Sequence, residues 1–269
     1  MKIVAAKKVV LWMSLVMVGL LFAGLSYAAI DPAIIAGMWV FDEGSGAVAG
    51  DSSGNGNDGE LVGDPQWVAG KFGSALEFDG DGDYVTIPDS DSLDMADQIT
   101  IACWFKTDKA MLVFDDRQAL LGKHYLEYEL GVYSGGAIHT YTNDGSGGYD
   151  EGINASIAEE LTEDEWVTGK WYHVAWVLNG MHETVFVNGI NIGEFDKGHP
   201  DTLPGDHPLE IGERVGGSLP FTGAIDEVIV LNAAIKEADV QDLMFRGILA
   251  TAVSPARKLA TAWGDVKTR

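Results

Sequence analysis

The sequence predicts an all-β protein, a two-sheet antiparallel β-sandwich with one short helix near its C-terminal end. From Gly37 onward, short stretches of β-type residues alternate with clusters of Gly, Asp, Asn and Ser. Asn179-Gly180 and Asn188-Gly189 predict successive tight hairpins, because Asn-Gly adopts the positive φ that both central turn positions need. The 34 glycines among 269 residues exceed the roughly 7% of average proteins and indicate many further turns. Closely spaced strands with no helix between them are typical of a sandwich.

Several segments combine β-type residues with flanking turn signals, and we predict each of them as a strand. Two of these, Ile99–Lys106 and Trp171–Leu178, are apolar on both faces. Such a strand is either covered on both sides or carries an aromatic residue on an exposed binding face, and periodicity does not separate these alternatives. Cys103 is interpreted as a small buried hydrophobe. The predicted strands are Met38–Phe41, Ala75–Phe78, Tyr84–Ile87, Ile99–Lys106, Leu126–Tyr133, Ala137–Thr142, Trp171–Leu178, Glu183–Val187, Leu209–Gly212 and Ala224–Leu231.

The C-terminal part of the sequence predicts a helix followed by a tail. An incomplete apolar stripe extends from Ala233 to about Arg246, and Gly247 ends it. Residues 250–269 are basic, lack periodicity and contain Trp263. We therefore expect three regions: a signal peptide over 1–28, one folded domain over 29–249, and a basic tail over 250–269.

The N-terminal region has the features of a secretory signal. Basic residues precede an uncharged apolar run from Val9 to Leu25, and Ser26-Tyr27-Ala28 places small residues before a cleavage point. Because the run approaches the ~20 residues that span a bilayer, an uncleaved membrane anchor is the alternative. No Cys directly follows the run, which excludes lipid attachment of the bacterial lipoprotein kind. We expect an exported protein, extracellular, on the cell surface or in the periplasm, with no stable membrane span after cleavage.

Charge and cysteine content exclude several classes of function. The chain has 17 Lys+Arg against 41 Asp+Glu, a formal net charge of −24. Nucleic acid is excluded as a partner because binding phosphates requires a basic surface. A single Cys excludes an intramolecular disulfide and every multi-Cys metal site. The six histidines are scattered in the sequence, and this spacing does not favour zinc.

A set of motifs in a fixed order resembles the laminin-G-like jelly roll of the concanavalin A-like lectin/glucanase superfamily. The similarity extends from about Gly37 to Gly247. It implies two stacked antiparallel sheets whose chain ends meet near one edge. The sequence departs from the family pattern at 107–170, a region longer than the simple fold needs; we expect its acidic stretch Glu159–Glu165 to form an extended loop. The motifs are Met38–Gly46, Asp51–Gly59, Gly70–Gly80, Tyr84-Val85, Trp171–Ala175, Val185–Gly189 and Phe221–Val228.

The acidic loops are candidates for a structural calcium site. Ca²⁺ binds six to eight oxygens from carboxylates, amides and the backbone, and the glycine-rich loop 51–59 provides Asp51 and Asn55. The family resemblance implies a metal that links the first strand to the last, which would add Glu43 and Asp226. We hypothesise one Ca²⁺ bound by these four residues. The alternative is that Asp51 and the Asn side chains cap turns through hydrogen bonds to the backbone.

The sequence favours recognition over catalysis. A glycoside hydrolase needs two carboxylates across the scissile bond, whereas Glu163-Asp164-Glu165 is contiguous and would point to opposite faces of a strand. We therefore expect no catalytic residues and a module that binds a glycan or an extracellular protein. Aromatic rings stack on sugars, and the candidate ligand residues are His139, Tyr141, Tyr149 and Trp166; the alternative is that they pack the long insertion onto the sandwich. A glycoside hydrolase or lyase, and a structural adhesion protein without a small ligand, are the other functions considered.

Overall fold

The computed structural model describes residues 30–108, 117–143, 149–151, 155–156, 166–197 and 205–249. Within these ranges, every strand pairing is antiparallel and the strands form two sheets, as the sequence predicts. The same ranges contain no helix long and apolar enough to cross a membrane. The strands are β1 Ile35–Trp39, β2 Val48–Ala49, β3 Gly59–Val62, β4 Gln66–Ala69, β5 Ser74–Asp79, β6 Tyr84–Ile87, β7 Gln98–Thr107, β8 Arg117–His124, β9 Tyr128–Tyr133, β10 Ala137–Asn143, β11 Tyr149–Glu151, β12 Ala155–Ser156, β13 Trp171–Asn179, β14 His182–Val187, β15 Ile190–Asp196, β16 Leu209–Ile211 and β17 Thr222–Leu231, and the helix is α1 Glu237–Arg246.

The two sheets stack with their inner faces together. The first sheet has the order β15-β14-β13-β7-β17-β5-β4, with β1 also paired to β17. The second has the order β11-β10-β9-β8-β16-β6-β3-β2, with β12 also paired to β10. Trp39 of β1 lies opposite Val228 of β17. This pairing confirms that the two ends of the folded region meet in one sheet.

Alternation along each strand creates the core between the sheets. In β7, Ile99, Ile101, Cys103 and Phe105 face inward and are fully buried. Burial raises the pKa of the Cys103 thiol, in keeping with its interpretation as a small hydrophobe. Trp39 is also fully buried, and its indole N–H donates a hydrogen bond to the carbonyl of Asn57 at 2.9 Å. The sandwich therefore has one large aromatic and aliphatic core.

A second apolar cluster covers part of the outer face of the first sheet. Val240 and Leu243 of α1 pack against Ala102, Ala175 and Ile229, which point outward from three neighbouring strands. The helix thus explains why β7 and β13 are apolar on both faces in this region. Elsewhere on the same face, Trp104 and Trp171 line a groove. The alternative in which the strand is covered on both sides therefore holds beneath the helix.

The ten predicted strands are confirmed, although the boundaries of most shift. The helix begins at Glu237 rather than Ala233, because the Thr100 hydroxyl donates to the Ala233 carbonyl and accepts from the Ile235 N–H. These bonds keep residues 233–236 outside the helix. The region 107–170 is not simply a loop, since β8 to β12 lie within it. Its stretch 159–165 lies outside the described residues.

Strand β17 occupies the centre of the first sheet and exchanges partners along one edge. Its first half pairs with β5 and its second half with β1, while β7 runs along the opposite edge. The exchange occurs at a bulge after Asp226, where Glu227 has a positive φ of 53°. Asp226 accepts hydrogen bonds from the N–H groups of Lys71 and Phe72 at 2.8 and 3.0 Å. Glu227 accepts one from the N–H of Ile248, just beyond the helix.

Both carboxyl groups at this bulge are buried, and burial raises their pKa values. Asp226 is fully buried and Glu227 is 5% exposed. Burial raises the pKa of Asp226 to about 7, although backbone N–H groups that bind the anion act in the opposite direction. Burial likewise raises the pKa of Glu227 to about 7. The folded protein therefore binds protons that the unfolded chain has already released at mildly acidic pH.

We expect the contribution of these two carboxyl groups to the free energy of unfolding to fall as the pH rises from about 5 to 8. The contribution of a carboxyl group with a raised folded-state pKa is complete below its unfolded pKa of about 4 and is lost as the pH rises through 7. Each group contributes at most about 1.4 kcal/mol per pH unit. Urea denaturation at several pH values measures this slope.

Asp226→Asn should make the fall in the free energy of unfolding with pH smaller. The amide oxygen still accepts the two N–H bonds, whereas the group no longer titrates. Asp81→Asn, in an exposed turn, is the matched control and should leave the slope unchanged. Equal slopes for the wild type and Asp226→Asn would contradict the assignment.

Candidate functional site

The outer face of the second sheet carries a compact group of polar and aromatic side chains. In β9, Tyr128, Leu130 and Val132 face the core, so alternation directs Glu129 and Tyr133 to the outer face. Tyr141 of β10 lies opposite Glu129 and points the same way. We call the following set the arginine–tyrosine cluster: Arg117, Tyr125, Glu129, Tyr133, His139, Tyr141 and Arg214.

An ion pair between Glu129 and Arg214 organises this cluster. Arg214 donates from Nε to Glu129 Oε2 at 2.7 Å and from Nη2 to Oε1 at 2.5 Å. The fork geometry of the guanidinium group matches both carboxylate oxygens. Glu129 is 1% exposed, so the pair is shielded from solvent and holds Arg214 in one orientation.

Tyrosine rings hold the arginines in place. The Arg214 guanidinium carbon lies 5.2 Å from the centroid of the Tyr125 ring and 5.0 Å from that of Tyr141. Arg117 donates a hydrogen bond to the Tyr141 hydroxyl and lies 6.0 Å from the centroid of the Tyr133 ring. Arginine favours such stacking because its guanidinium is planar and weakly hydrated. The cluster therefore places tyrosine rings beside arginine side chains, with Glu129, His139 and Tyr141 buried and the other members partly exposed.

The protonation states of the buried pair follow from these contacts. Burial alone would raise the pKa of Glu129, but hydrogen bonds from His139 and Arg214 outweigh burial and lower it. Burial lowers the pKa of His139, whose Nε2 lies 3.4 Å from Glu129 Oε1. At neutral pH, Glu129 is therefore ionised and His139 is neutral. Both oxygens of Glu129 are occupied by Arg214, which leaves the carboxylate poorly placed to act as a nucleophile or base.

A second ionic group supports the edge of the cluster. The Lys123 side chain is fully buried, and its ammonium lies 2.6 Å from Asp89, 2.5 Å from Asp94 and 3.2 Å from Glu127. Glu127 also contacts His207, with 2.5 Å between Oε1 and Nδ1. A buried lysine needs such partners to remain charged. These contacts fasten loop residues onto the end of β8.

A weak acid lies on the same face. Glu210 of β16 pairs with Gly122 of β8, and Gly122 also pairs with Glu129, so a residue without a side chain separates the two carboxyl groups. Burial and the nearby charge of Glu213 raise the pKa of Glu210 to about 7. The two groups therefore differ in protonation at neutral pH. A raised and a lowered carboxyl pKa on one face are also the pattern of acid–base catalysis.

The four predicted ligand residues occupy different environments. His139 and Tyr141 belong to the arginine–tyrosine cluster but are buried, with exposures of 0% and 2%. Trp166 lies in the core, donates its indole N–H to the Tyr133 carbonyl at 3.1 Å, and contacts Phe105 and Tyr172 edge-on. Its position agrees with the packing alternative. The backbone of Tyr149 pairs with Asn143, and its side chain lies outside the described part of the structure.

Several members of the cluster were not identified from the sequence. The period-2 pattern Tyr128–Tyr133 contained a signal for Glu129 and Tyr133, because it places both on the face opposite the leucine and valine side chains. Arg214 has no such signal. It lies in a turn closed by the hydrogen bond from its own N–H to the Ser218 carbonyl, and it reaches a residue 85 positions earlier.

The residues proposed for calcium are already engaged by the protein. Asp51 accepts from the N–H groups of Met38 and Asn57 and from the N–H and hydroxyl of Ser53, at 2.7–3.1 Å. Asn55 donates to the carbonyls of Ile35 and Ala36. These bonds fasten loop 51–59 to β1. They match the capping alternative considered for the sequence.

The other two proposed calcium ligands belong to different parts of the fold. Glu43 accepts from the Gly50 N–H at 2.8 Å, whereas Asp226 binds the turn at Lys71 and Phe72. Asp42, rather than Glu43, contacts this turn, through the Ser74 N–H. Among the described residues, no three Asp, Glu, His or Cys side chains are grouped as a metal site requires. Calcium at these four residues stays a prediction from the sequence.

Comparison with known proteins identifies the family. The family model Laminin_G_3, described as part of the concanavalin A-like lectin/glucanases superfamily, matches residues 79–241. The chain therefore belongs to this family, as its motifs indicated. A search of curated proteins finds no match.

Solved structures share the fold at low sequence identity. Domain 4 of AbnA, a GH43 extracellular arabinanase from Geobacillus stearothermophilus solved with arabinotriose, is 20% identical with a TM-score of 0.60; the match covers 78% of this chain and 98% of that domain. The binding domain of Paraclostridial Mosquitocidal Protein 1 is 14% identical with a TM-score of 0.63, over 79% of this chain and 52% of that one. The receptor binding domain of botulinum neurotoxin mosaic serotype C/D is 17% identical with a TM-score of 0.64, over 81% and 52%. This chain thus spans about half of the toxin binding domains.

We expect Asp51→Ala to lower the free energy of unfolding by about 2 kcal/mol, because it leaves partly buried N–H groups without an acceptor. Asp81→Ala, in an exposed turn, is the control and should change stability by less than about 0.5 kcal/mol. Chemical denaturation measures both.

The same measurement with and without a chelator tests calcium. If Asp51 caps the loop, the loss caused by Asp51→Ala is the same in both conditions, and the melting temperature of the wild type does not change. A fall in the wild-type melting temperature on adding EDTA would instead support a structural Ca²⁺.

Proposed function

We propose that this chain is an exported, non-catalytic recognition module that binds carbohydrate through the outer face of its second sheet. The observation that carries the proposal is the arginine–tyrosine cluster, in which half-buried Tyr125 and Tyr133 flank the planar groups of Arg117 and Arg214. Ligand sites commonly combine apolar and aromatic surface with a few fixed polar groups. This arrangement provides both.

Each component of the cluster suits a sugar ring. A tyrosine ring offers an apolar face for the C–H surface of a pyranose or furanose, together with a hydroxyl group at its edge. Arginine offers several N–H donors in a plane, which suits hydroxyl oxygens. Because Glu129 already neutralises Arg214, the pair presents donors without a large excess of charge. A neutral glycan fits this chemistry better than a polyanion.

Pre-organisation supports binding over a merely structural role. The rings of Tyr125 and Tyr141 both contact the Arg214 guanidinium, and Glu129 accepts hydrogen bonds from it. A surface that is ordered before binding loses less conformational entropy when the ligand arrives. The buried His139 and Tyr141 then act as supports for the contact residues rather than as contacts themselves.

The comparisons are consistent with a binding module. The arabinanase domain was solved with arabinotriose, and the toxin regions are called binding domains. At 14–20% identity, these likenesses support the fold, and the choice of ligand rests on the cluster. Export rests on the N-terminal basic and apolar segments of the sequence.

A glycoside hydrolase is the second candidate, favoured by one observation. Glu210 has a pKa raised to about 7 and would be protonated enough to act as a general acid. Of its carboxyl neighbours, Glu129 is held by Arg214, and burial also raises the pKa of Glu213. We therefore rank binding above hydrolysis.

We expect Tyr133→Ala to weaken glycan binding about tenfold, equal to ~1.4 kcal/mol, because it removes a stacking surface from the cluster. A glycan array with the full chain would identify a neutral ligand, and calorimetry would then measure its affinity. Tyr125→Ala should have a similar effect. Phe195→Ala replaces an aromatic residue that is 40% exposed on β15 of the other sheet, and it should leave the affinity unchanged.

Three other results would each contradict the proposal. An array with no bound glycan would favour a protein partner or a structural role. Binding that survives both tyrosine substitutions would place the site elsewhere on the domain. Release of reducing ends from a polysaccharide, lost in Glu210→Gln, would identify a hydrolase.

A further inference from the structure

A second concave surface lies on the opposite side of the molecule. It is a groove of about 550 Å³ on the outer face of the first sheet, between the end of α1 and the turn before β5. The side chains that line it are those of Lys71, Phe72, Trp104, Trp171, Asn188, Met244 and Phe245. Phe245 is 72% exposed. The groove shares no residue with the arginine–tyrosine cluster.

Three neighbouring strands place unpaired polar atoms beneath this groove. Trp104 of β7 lies opposite His173 of β13 on one side and Asp226 of β17 on the other. Within the described part of the chain, Trp104 Nε1, His173 Nδ1 and Asp226 Oδ1 are buried without a hydrogen-bond partner. All three residues are at least 95% buried. Buried polar atoms are normally satisfied by protein, water or ligand, so the sheet beneath the groove has unused hydrogen-bonding capacity.

The edge of the groove is cationic although the protein is acidic. The Lys71 ammonium lies 4.1 Å from the centroid of the Trp104 ring, and that of Lys106 lies 5.7 Å from the centroid of the Trp171 ring. Burial, together with the charge of Lys71, lowers the pKa of His173 to about 3, so the imidazole is neutral and can accept or donate. The groove therefore combines aromatic faces, two positive charges and unsatisfied polar atoms.

We propose that this groove binds an acidic sugar, a pyranose ring that bears a carboxylate. The apolar face of the ring would stack on Trp171 and Phe72, and the carboxylate would pair with the Lys71 ammonium at the edge.

Charge also decides against the nearest alternative occupant. The tail 250–269 follows α1 directly, but it carries Arg257, Lys258, Lys267 and Arg269 against a single acid, Asp265. Docking this tail would place like charges beside Lys71 and Lys106. An anionic ligand gains from the same two lysines. The inference does not depend on glycan binding at the arginine–tyrosine cluster, because the two sites lie on opposite sheets.

Calorimetric titration of the full chain with trigalacturonate and with galactotriose tests the proposal. We expect the acidic trisaccharide to bind at least tenfold more tightly, with an affinity that falls as salt is added. Lys71→Met keeps the apolar stem over Trp104 but removes the charge, and it should weaken trigalacturonate binding at least tenfold. Lys236→Met, in the exposed residue before the other end of α1, is the matched control and should have no effect.

The outcomes separate this site from the first one. Tyr133→Ala should leave trigalacturonate binding intact, so failure at one site does not imply failure at the other. Equal affinity for the two trisaccharides, or no binding of trigalacturonate, would overturn the proposal. So would unchanged affinity in Lys71→Met. A synthetic peptide of residues 250–269 that binds the chain and competes at this groove would show that the tail occupies it.

Discussion

Strand β17 pairs with two different strands along one edge, and the rest of the structure depends on this constraint. One strand must pair with β5 over its first half and with β1 over its second, and the bulge after Asp226 allows the exchange. Each acid at the bulge then holds a neighbouring segment, Asp226 the turn at Lys71 and Glu227 the chain beyond α1. This exchange of partners adds β1, the first strand of the domain, to the sheet and sets the position of α1. Two buried carboxyl groups with raised pKa values are its energetic cost.

That arrangement divides the outer face of the first sheet into two parts. The helix covers one part with Val240 and Leu243, while the turn at Lys71 and the exposed end of the helix leave a groove over Trp104. The outer face of the second sheet has a different character, because the arginine–tyrosine cluster is assembled from strand residues and from the turn after β16. Each sheet therefore presents one aromatic and cationic surface to the outside. The shared core, which includes Trp39 and Phe105, keeps the two surfaces rigid relative to their own strands.

Local patterns in the sequence predicted the sandwich, whereas the arginine–tyrosine cluster and the groove are formed by residues far apart in the sequence. The hairpin between β14 and β15 could be predicted from the sequence because Asn188-Gly189 adopts positive φ at both positions. Strand β8 was missed because register shifts near Ala119 and Gly122 break its period-2 pattern, and β15 because its side chains are mostly exposed. Asp226 was predicted as a calcium ligand, whereas its partners in the structure are backbone N–H groups distant in sequence. Arg214 had no local signal, since its role depends on a glutamate 85 residues away.

The strongly negative chain and its cationic surfaces are compatible because charge acts over a limited range. With a formal charge of −24, the chain repels a long polyanion at low salt. At physiological ionic strength, however, screening confines interactions between exposed charges to about 8 Å. A short ligand in the groove then interacts mainly with Lys71 and Lys106, and a ligand on the second sheet interacts mainly with arginines that lie beside tyrosine rings. Raising the salt concentration should therefore weaken attraction to the lysines in the groove more than stacking on the tyrosines. Salt dependence distinguishes an electrostatic site from an aromatic one on the same small domain.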